Sequence, residues 1–271
     1  MDLARGMAMR LGGQLVGGLA SLAVLPLLIR HLGVEDFGRY VAVLALVAIA
    51  ALASDVGLTG LALRDSALAP GERRRQVLAG LFGLRFAVAA LGACGAIGFA
   101  LAAGYEGSAV AGTALASAGL FPQIYADMVV VALVVEGRFG GAAAIETARS
   151  VGASLLIVIL VIADADLVWF LAAWGGAAVI GALVARVVGA GAADWPRPSA
   201  AEARRVLGGA SGYGLATALH VVYFRAVMLV VAGRAPALEA GWFGAGFRIT
   251  EFVGAAAGQT AGSATPALAR P

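Results

Sequence analysis

The chain has no lysine, only two histidines and one cysteine, and 13% of its 271 residues carry charge. Each shortage excludes something. A lone cysteine, Cys94, cannot form an intrachain disulfide and does not report a redox compartment. Soluble domains carry about a quarter of their residues as charges, so this chain cannot cover its own surface with polar groups. There is no His/Cys ligand cluster, no acidic repeat for metal-diphosphate chemistry, no nucleotide-binding glycine loop and no nucleophile elbow. The connectors are too short to hold an ATPase. What abounds instead is apolar: 61% hydrophobic residues and 39 glycines, with a mean hydropathy of +0.93. A bilayer is the solvent such a composition fits.

Crossing ~30 Å of hydrocarbon takes roughly 20 apolar residues in a helix. Eight runs meet that length, with no strand pattern among them: about 11–29, 38–63, 77–103, 109–135, 142–163, 167–188, 206–233 and 240–264. The expected architecture is therefore an all-α membrane protein of about eight transmembrane helices. The longest connector, 189–205, is rich in Ala, Pro and Gly and reads as the boundary between a six-helix lobe (1–188) and the first two helices of a second lobe (206–271). The first run is too long, and too closely followed by another, to read as a cleaved signal peptide.

All nineteen basic residues are arginines, and their placement fixes an expected orientation. With the N-terminus inside, inner segments hold Arg5, Arg10, Arg64, Arg73, Arg74, Arg75, Arg138, Arg186, Arg197, Arg204, Arg205 and Arg270. Outer segments hold Arg30, Arg39 and Arg234. Twelve against three is a positive-inside bias. It also removes nucleic acid as a partner, since "GERRR" becomes a cytoplasmic loop rather than part of a groove.

Charges within the runs are costly, at about 2.5–3.5 kcal/mol each near mid-bilayer, so they tend to face an interior or a watery cavity. Asp55, Arg85, Asp127 and Arg149 each lie ~12 Å or less from the inner end of their helix. For Arg85 and Arg149 both snorkelling and an interior role stay open. Glu146, one turn from Arg149, reads as its local ion-pair partner. His220 and Arg225 lie near the middle of the seventh run; with Tyr213 and Thr217 they span an arc of about 140°, which implies a lumen-facing side. Arg248 and Glu251 are one turn apart in the eighth run, beside a ridge of Gly254, Gly258 and Gly262 that suits close helix packing. Pro122, beside Gln123, Tyr125 and Asp127, is expected to kink or break the fourth run, and Pro26 the first.

The stretch "HLGVEDFGRYVAVLALVAIAALASDVGLTGLALRD" resembles the opening hairpin of polysaccharide-biosynthesis flippases, in the multidrug/oligosaccharidyl-lipid/polysaccharide exporter superfamily. The residues that carry the likeness are Leu32, Gly33, Phe37, Gly38, Tyr40, Asp55, Gly57, Leu58, Arg64 and Asp65. "EAGWFGAGFRITEFVGAAAGQTAGSATPALAR" is similar to that family's eighth-helix region. In this picture 31–40 is a tight outer turn, with Gly33 and Gly38 allowing the turn geometry and Tyr40 at the headgroup level. Two departures stand out: the family has twelve to fourteen helices where eight are read here, and no acid accompanies Arg225 in the seventh. The first leads to the expectation that the chain is truncated at Pro271 and inserts without transporting alone.

The resemblance implies flipping of a polyprenyl-diphosphate-linked oligosaccharide across the bacterial cytoplasmic (inner) membrane by alternating access, for O-antigen or related surface polysaccharide. Arg225, Arg248, His220 and Arg85 are the substrate-binding candidates. Asp55, Asp127 and Glu251 are the gating candidates, with Arg85 joining Asp55 and Asp127 in a network near the cytoplasmic side. No enzyme activity and no cofactor are expected; a coupling ion, H+ or Na+, is left open. Expected partners are the lipid-linked oligosaccharide, membrane lipids and the polysaccharide polymerase machinery. The alternatives are a drug or cation antiporter of the same superfamily, a membrane-embedded glycosyl- or phosphotransferase, and a non-transporting fragment.

Overall fold

The structure is a computed structural model and describes residues 3–55, 57–69, 71–192 and 194–197, then 227, 230–231, 234–236, 238–247 and 250. Among these residues the regular structure is entirely helical: α1 (Leu3–Asp55), α2 (Leu58–Leu68), α3 (Gly71–Ala102), α4 (Gly107–Ala118), α5 (Leu120–Val135), α6 (Phe139–Ile162) and α7 (Leu167–Val188). A helix satisfies its backbone donors and acceptors internally, which lipid cannot do for it. Five apolar stretches are long enough to cross a bilayer: Gly12–Leu68, Gly71–Ala102, Gly107–Val135, Phe139–Ile162 and Leu167–Val188. These make the chain an all-α protein of membrane-spanning character. The seventh and eighth expected spans lie largely outside the described residues, although 238–247 is helical.

The first stretch has 57 residues, or about 85 Å of helix, nearly three bilayer cores. It is folded back on itself at one residue. Gly33 has φ 74 and ψ 166, a conformation that only glycine adopts readily, and it divides α1 into two arms. Contacts place the arms. Arg10, on the first arm, meets Glu146 near the start of α6, while His31 meets Ala165 just past the end of α6. The first arm thus runs parallel to α6. The second arm returns antiparallel to α3, with Leu46 packed beside Ala96 and Ala100. The bundle accordingly has a proximal end, marked by Arg10, Glu146 and the Arg74–Glu136 pair, and a distal end, marked by Gly33, His31 and the Arg39–Glu106 pair.

Two expectations are corrected here. The polar strap 31–40 is not a loop: apart from Gly33 it is helical, Gly38 included. Its charges are met along the helix surface, where Arg39 reaches back to Glu35 and Asp36, and Phe37 and Tyr40 point into the core. Pro26 sits inside α1 without breaking it. Pro122 does interrupt its pass, but one turn ahead of itself. Proline has no N–H for the carbonyl four residues earlier and clashes with it, so α4 ends at Ala118 and α5 starts at Leu120.

Small residues set how closely the passes approach. A Cβ built on Gly119 would lie 2.5 Å from the Cα of Gly175, so the α4–α5 break and α7 meet backbone to backbone. On α1, Gly13 and Gly17 face Thr147 and Ser150 of α6 at similarly short range. In lipid no water is expelled between helices, and contacts of this kind are the main attraction. Phe37, Phe82, Ile124, Met128, Leu133 and Phe170 fill the centre. Leu155, Ile159 and Ile162 of α6 face outward, as lipid-facing residues do.

Candidate functional site

The sequence "SDVGLT" builds the first part of the site. Gly57, at φ 80, separates α1 from α2. Asp55 then accepts from both the backbone N–H of Thr59 (3.0 Å) and its hydroxyl (2.7 Å), holding the new helix start with one carboxylate oxygen. The same oxygen, Oδ1, also faces Arg85 on α3.

Arg85 is the best buried charge of the described chain, its side chain only 8% exposed. It does not snorkel. Its Nη2 lies 3.1 Å from Oδ2 of Asp127 on α5, its Nη1 donates to the Thr59 hydroxyl at 3.2 Å, and its Nε stands 3.8 Å from Oδ1 of Asp55. The guanidinium also lies over the ring of Phe82, one turn earlier on α3. Asp127 is shared: its other oxygen is 3.7 Å from Nη1 of Arg149 on α6. The stem of Arg149 packs on Gly181 of α7, where a Cβ would sit 3.3 Å from it. The result is an alternating row, Asp55–Arg85–Asp127–Arg149, drawn from α1, α3, α5 and α6 and electrically balanced.

One turn along α6, Glu146 continues the alternation. It is not the local partner of Arg149; it accepts both Nε (3.1 Å) and Nη2 (2.6 Å) of Arg10. A two-pronged guanidinium–carboxylate pair across helices outcompetes a single pair along one helix. The bond to Glu146 raises the Arg10 guanidinium above its already high pKa, against a smaller opposing effect of burial.

The links differ in tightness. Arg85–Asp127 is within hydrogen-bond range, whereas Arg85–Asp55 and Arg149–Asp127 are ion pairs at 3.8 and 3.7 Å. Nε of Arg85 is buried without a hydrogen-bond partner. Two arginines and two acids so arranged can exchange partners at modest cost, and an incoming anion would compete with the carboxylates for the same donors.

Of the residues picked out from sequence, the structure brings together Asp55, Arg85 and Asp127. His220, Arg225, Arg248 and Glu251 lie outside the described residues, as does the Gly254–Gly258–Gly262 ridge. Thr59 was missed, although an Asp four residues before a Thr at a glycine break is a readable capping pattern. Away from this row, a cavity of about 240 Å³ opens at the distal end among Arg39, Tyr105, Glu106 and Ala240. Among the described residues no group of three or more His, Cys, Asp or Glu side chains is placed to hold a metal. Comparison of the chain with protein-family models, curated proteins and solved structures returns no match.

Proposed function

We propose that the chain belongs to a transporter that flips a polyprenyl-diphosphate-linked oligosaccharide across the bacterial cytoplasmic membrane, working by alternating access. In this reading six passes form one lobe, residues 206–271 contribute two more, and the proximal end faces the cytoplasm. The observation that carries it is the Asp55–Arg85–Asp127–Arg149 row, buried at Arg85 and half-buried at the other three, which ties four passes together at one end through partners that a diphosphate can replace. The arginine asymmetry supports the orientation: Arg10, Arg64, Arg73, Arg74, Arg75, Arg138, Arg186 and Arg197 belong to proximal segments, Arg30 and Arg39 to distal ones. The hairpin resemblance supports the substrate class, and its Gly33 and Gly57 are both at positive φ. Arg225, Arg248 and His220 are the proposed deeper contacts for the anionic head of the substrate.

The test is genetic and chemical. Deleting the gene should leave lipid-linked oligosaccharide accumulating on the cytoplasmic leaflet and deplete the surface polysaccharide. The wild-type gene should reverse both, and alleles carrying Arg85→Ala or Arg225→Ala should not. Absence of the lipid-linked oligosaccharide itself would instead indicate a transferase. Unchanged polysaccharide with new sensitivity to cationic drugs would indicate an antiporter.

A further inference from the structure

The segment that follows α7 does more than leave the bundle. Gly189 caps α7 against Val129 of α5, and Gly191 turns the chain at φ 78. Ala192 is buried in the core, 3% exposed. The chain then runs without helix through 194–197. The Trp195 ring lies 5.4 Å from that of Tyr125 on α5, Pro196 is buried, and the backbone N–H of Arg197 donates to the Ala79 carbonyl of α3 at 2.8 Å. Arg138, between α5 and α6, holds the final carbonyl of α7 at Val188 (2.8 Å) and so steadies the point of departure.

This strap bridges the two helices that supply the closest ion pair of the charge row. Tyr125 is two residues from Asp127, and Ala79 is six from Arg85. Its hold is shallow, however. Among the described residues, the attachment beyond Ala192 rests on one ring pair, one backbone hydrogen bond and one buried proline, while Trp195 itself is 62% exposed. Two glycines, at 189 and 191, supply a hinge. A segment anchored by so few contacts opens at low free energy compared with the helices beneath it. Irregular backbone at the edge of a bundle also needs neighbouring polar groups or water for its own N–H and C=O groups, so it belongs where water can reach.

From these contacts we infer that residues 189–192 and 194–197 form a hinged lid across the proximal end of α3 and α5, docked in the described state and lifted when the charge row changes partners. The lid's role in gating rests on the transport reading above; its docking does not. Trp195 is the clasp, and the Arg197 N–H is the second point of attachment.

Two measurements test this. In a Cys94→Ala background, Ala79→Cys reports whether the strap is seated, since Ala79 is only 6% exposed. Trp195→Ala should raise the rate of maleimide labelling of this cysteine in nanodiscs roughly two- to tenfold, the range set by loss of one aromatic pair. Arg197→Pro, which removes the backbone N–H together with the side chain, should also accelerate labelling, whereas Trp195→Phe should stay close to the parent. Equal labelling in all four proteins would overturn the docked strap. For the gate, a Tyr125→Cys/Trp195→Cys protein in the same background is joined by a short, reducible thiol cross-linker. Lipid-linked oligosaccharide flipping should stop on cross-linking and return on reduction. Flipping that continues in fully cross-linked protein would reduce the strap to a static tether. Flipping absent in the parent Cys94→Ala protein would count against the transport reading, and the labelling rates would still decide whether the lid exists.

Discussion

Replacing Arg85 by methionine is the sharpest probe of the charge row, because it removes the one buried charge while keeping an unbranched stem in the same space. Asp127 would lose its nearest partner, at 3.1 Å, and Asp55 the guanidinium at 3.8 Å. Breaking a buried pair by removing one member costs about 3–5 kcal/mol, chiefly because the other is left uncompensated. Here both acids retain some support. Asp127 keeps Arg149 at 3.7 Å, Asp55 keeps two hydrogen bonds from Thr59, and the acids are 27% and 30% exposed. The lower end applies, about 3 kcal/mol. For a chain of this size that is a fall in melting temperature of roughly 6–12 °C, read by circular dichroism in detergent. Arg85→Lys should fall between, since one ammonium cannot span both acids. Adding Asp55→Asn to Arg85→Met leaves an acceptor for Thr59 and no stranded charge at position 55, while Asp127 keeps only Arg149. The double variant should therefore be more stable than the sum of the singles by about 1 kcal/mol. Strict additivity, or an Arg85→Met protein as stable as the parent, would refute the claim that these charges are energetically coupled.

The same unfolding assay tests the backbone contact between α4–α5 and α7: Gly119→Ala should cost about 1–3 kcal/mol because its Cβ would strike the Gly175 backbone. Gly98→Ala, which meets open space, should stay within about 0.5 kcal/mol of the parent. Burial raises the Tyr105 phenol above its ordinary value of 10.0. Its contribution is thus complete below that value and is lost as pH rises through the folded-state value, when only the unfolded chain ionises freely. With no lysine to confuse the titration, stability should fall from about pH 10 upward, and Tyr105→Phe should flatten that fall; an unchanged slope would dismiss the effect. Orientation is tested by cysteine labelling in intact cells after Cys94→Ala. Asp164→Cys, at a side chain 98% exposed, should react with an impermeant reagent, and Arg73→Cys only after permeabilisation; the reverse pattern would invert the bundle.

How much of this could be read from the chain depends on the length scale of the interaction. Hydropathy alone delimits α7 at Leu167–Val188 and comes within six residues for the starts of α3 and α6, because any run of apolar residues in lipid must be helical. The strap was misjudged because its charge density looks like a loop. A single glycine makes the whole turn, and acids three and four residues before Arg39 let the helix carry those charges at its surface. Partners across passes were the least legible. Nothing local relates Arg10 to Glu146, 136 residues away, or sets the register of α5 against α6 that gives Asp127 to Arg149. One long-range signal was present in "GGQLVGG": Gly13 and Gly17 are spaced for close helix approach, and they mark where α1 meets α6.

The alternating charges have a consequence for biosynthesis. Asp55 and Arg85 emerge 30 residues apart and can pair as soon as α3 is made; Asp127 joins them with α5. Arg10, among the first residues to be synthesised, has no counterpart until Glu146 arrives on α6, and Asp127 waits for Arg149 on the same helix. The last link to be translated thus completes both halves of the row at once. A ribosome halted after Val135 would release a chain with an unmatched cation at its head and a half-matched acid in its interior, and quality-control proteases should clear it faster than a chain halted after Val188. Pulse–chase of the two truncations would measure that difference. Completion of the charge row would then mark that the passes up to α6 have come together.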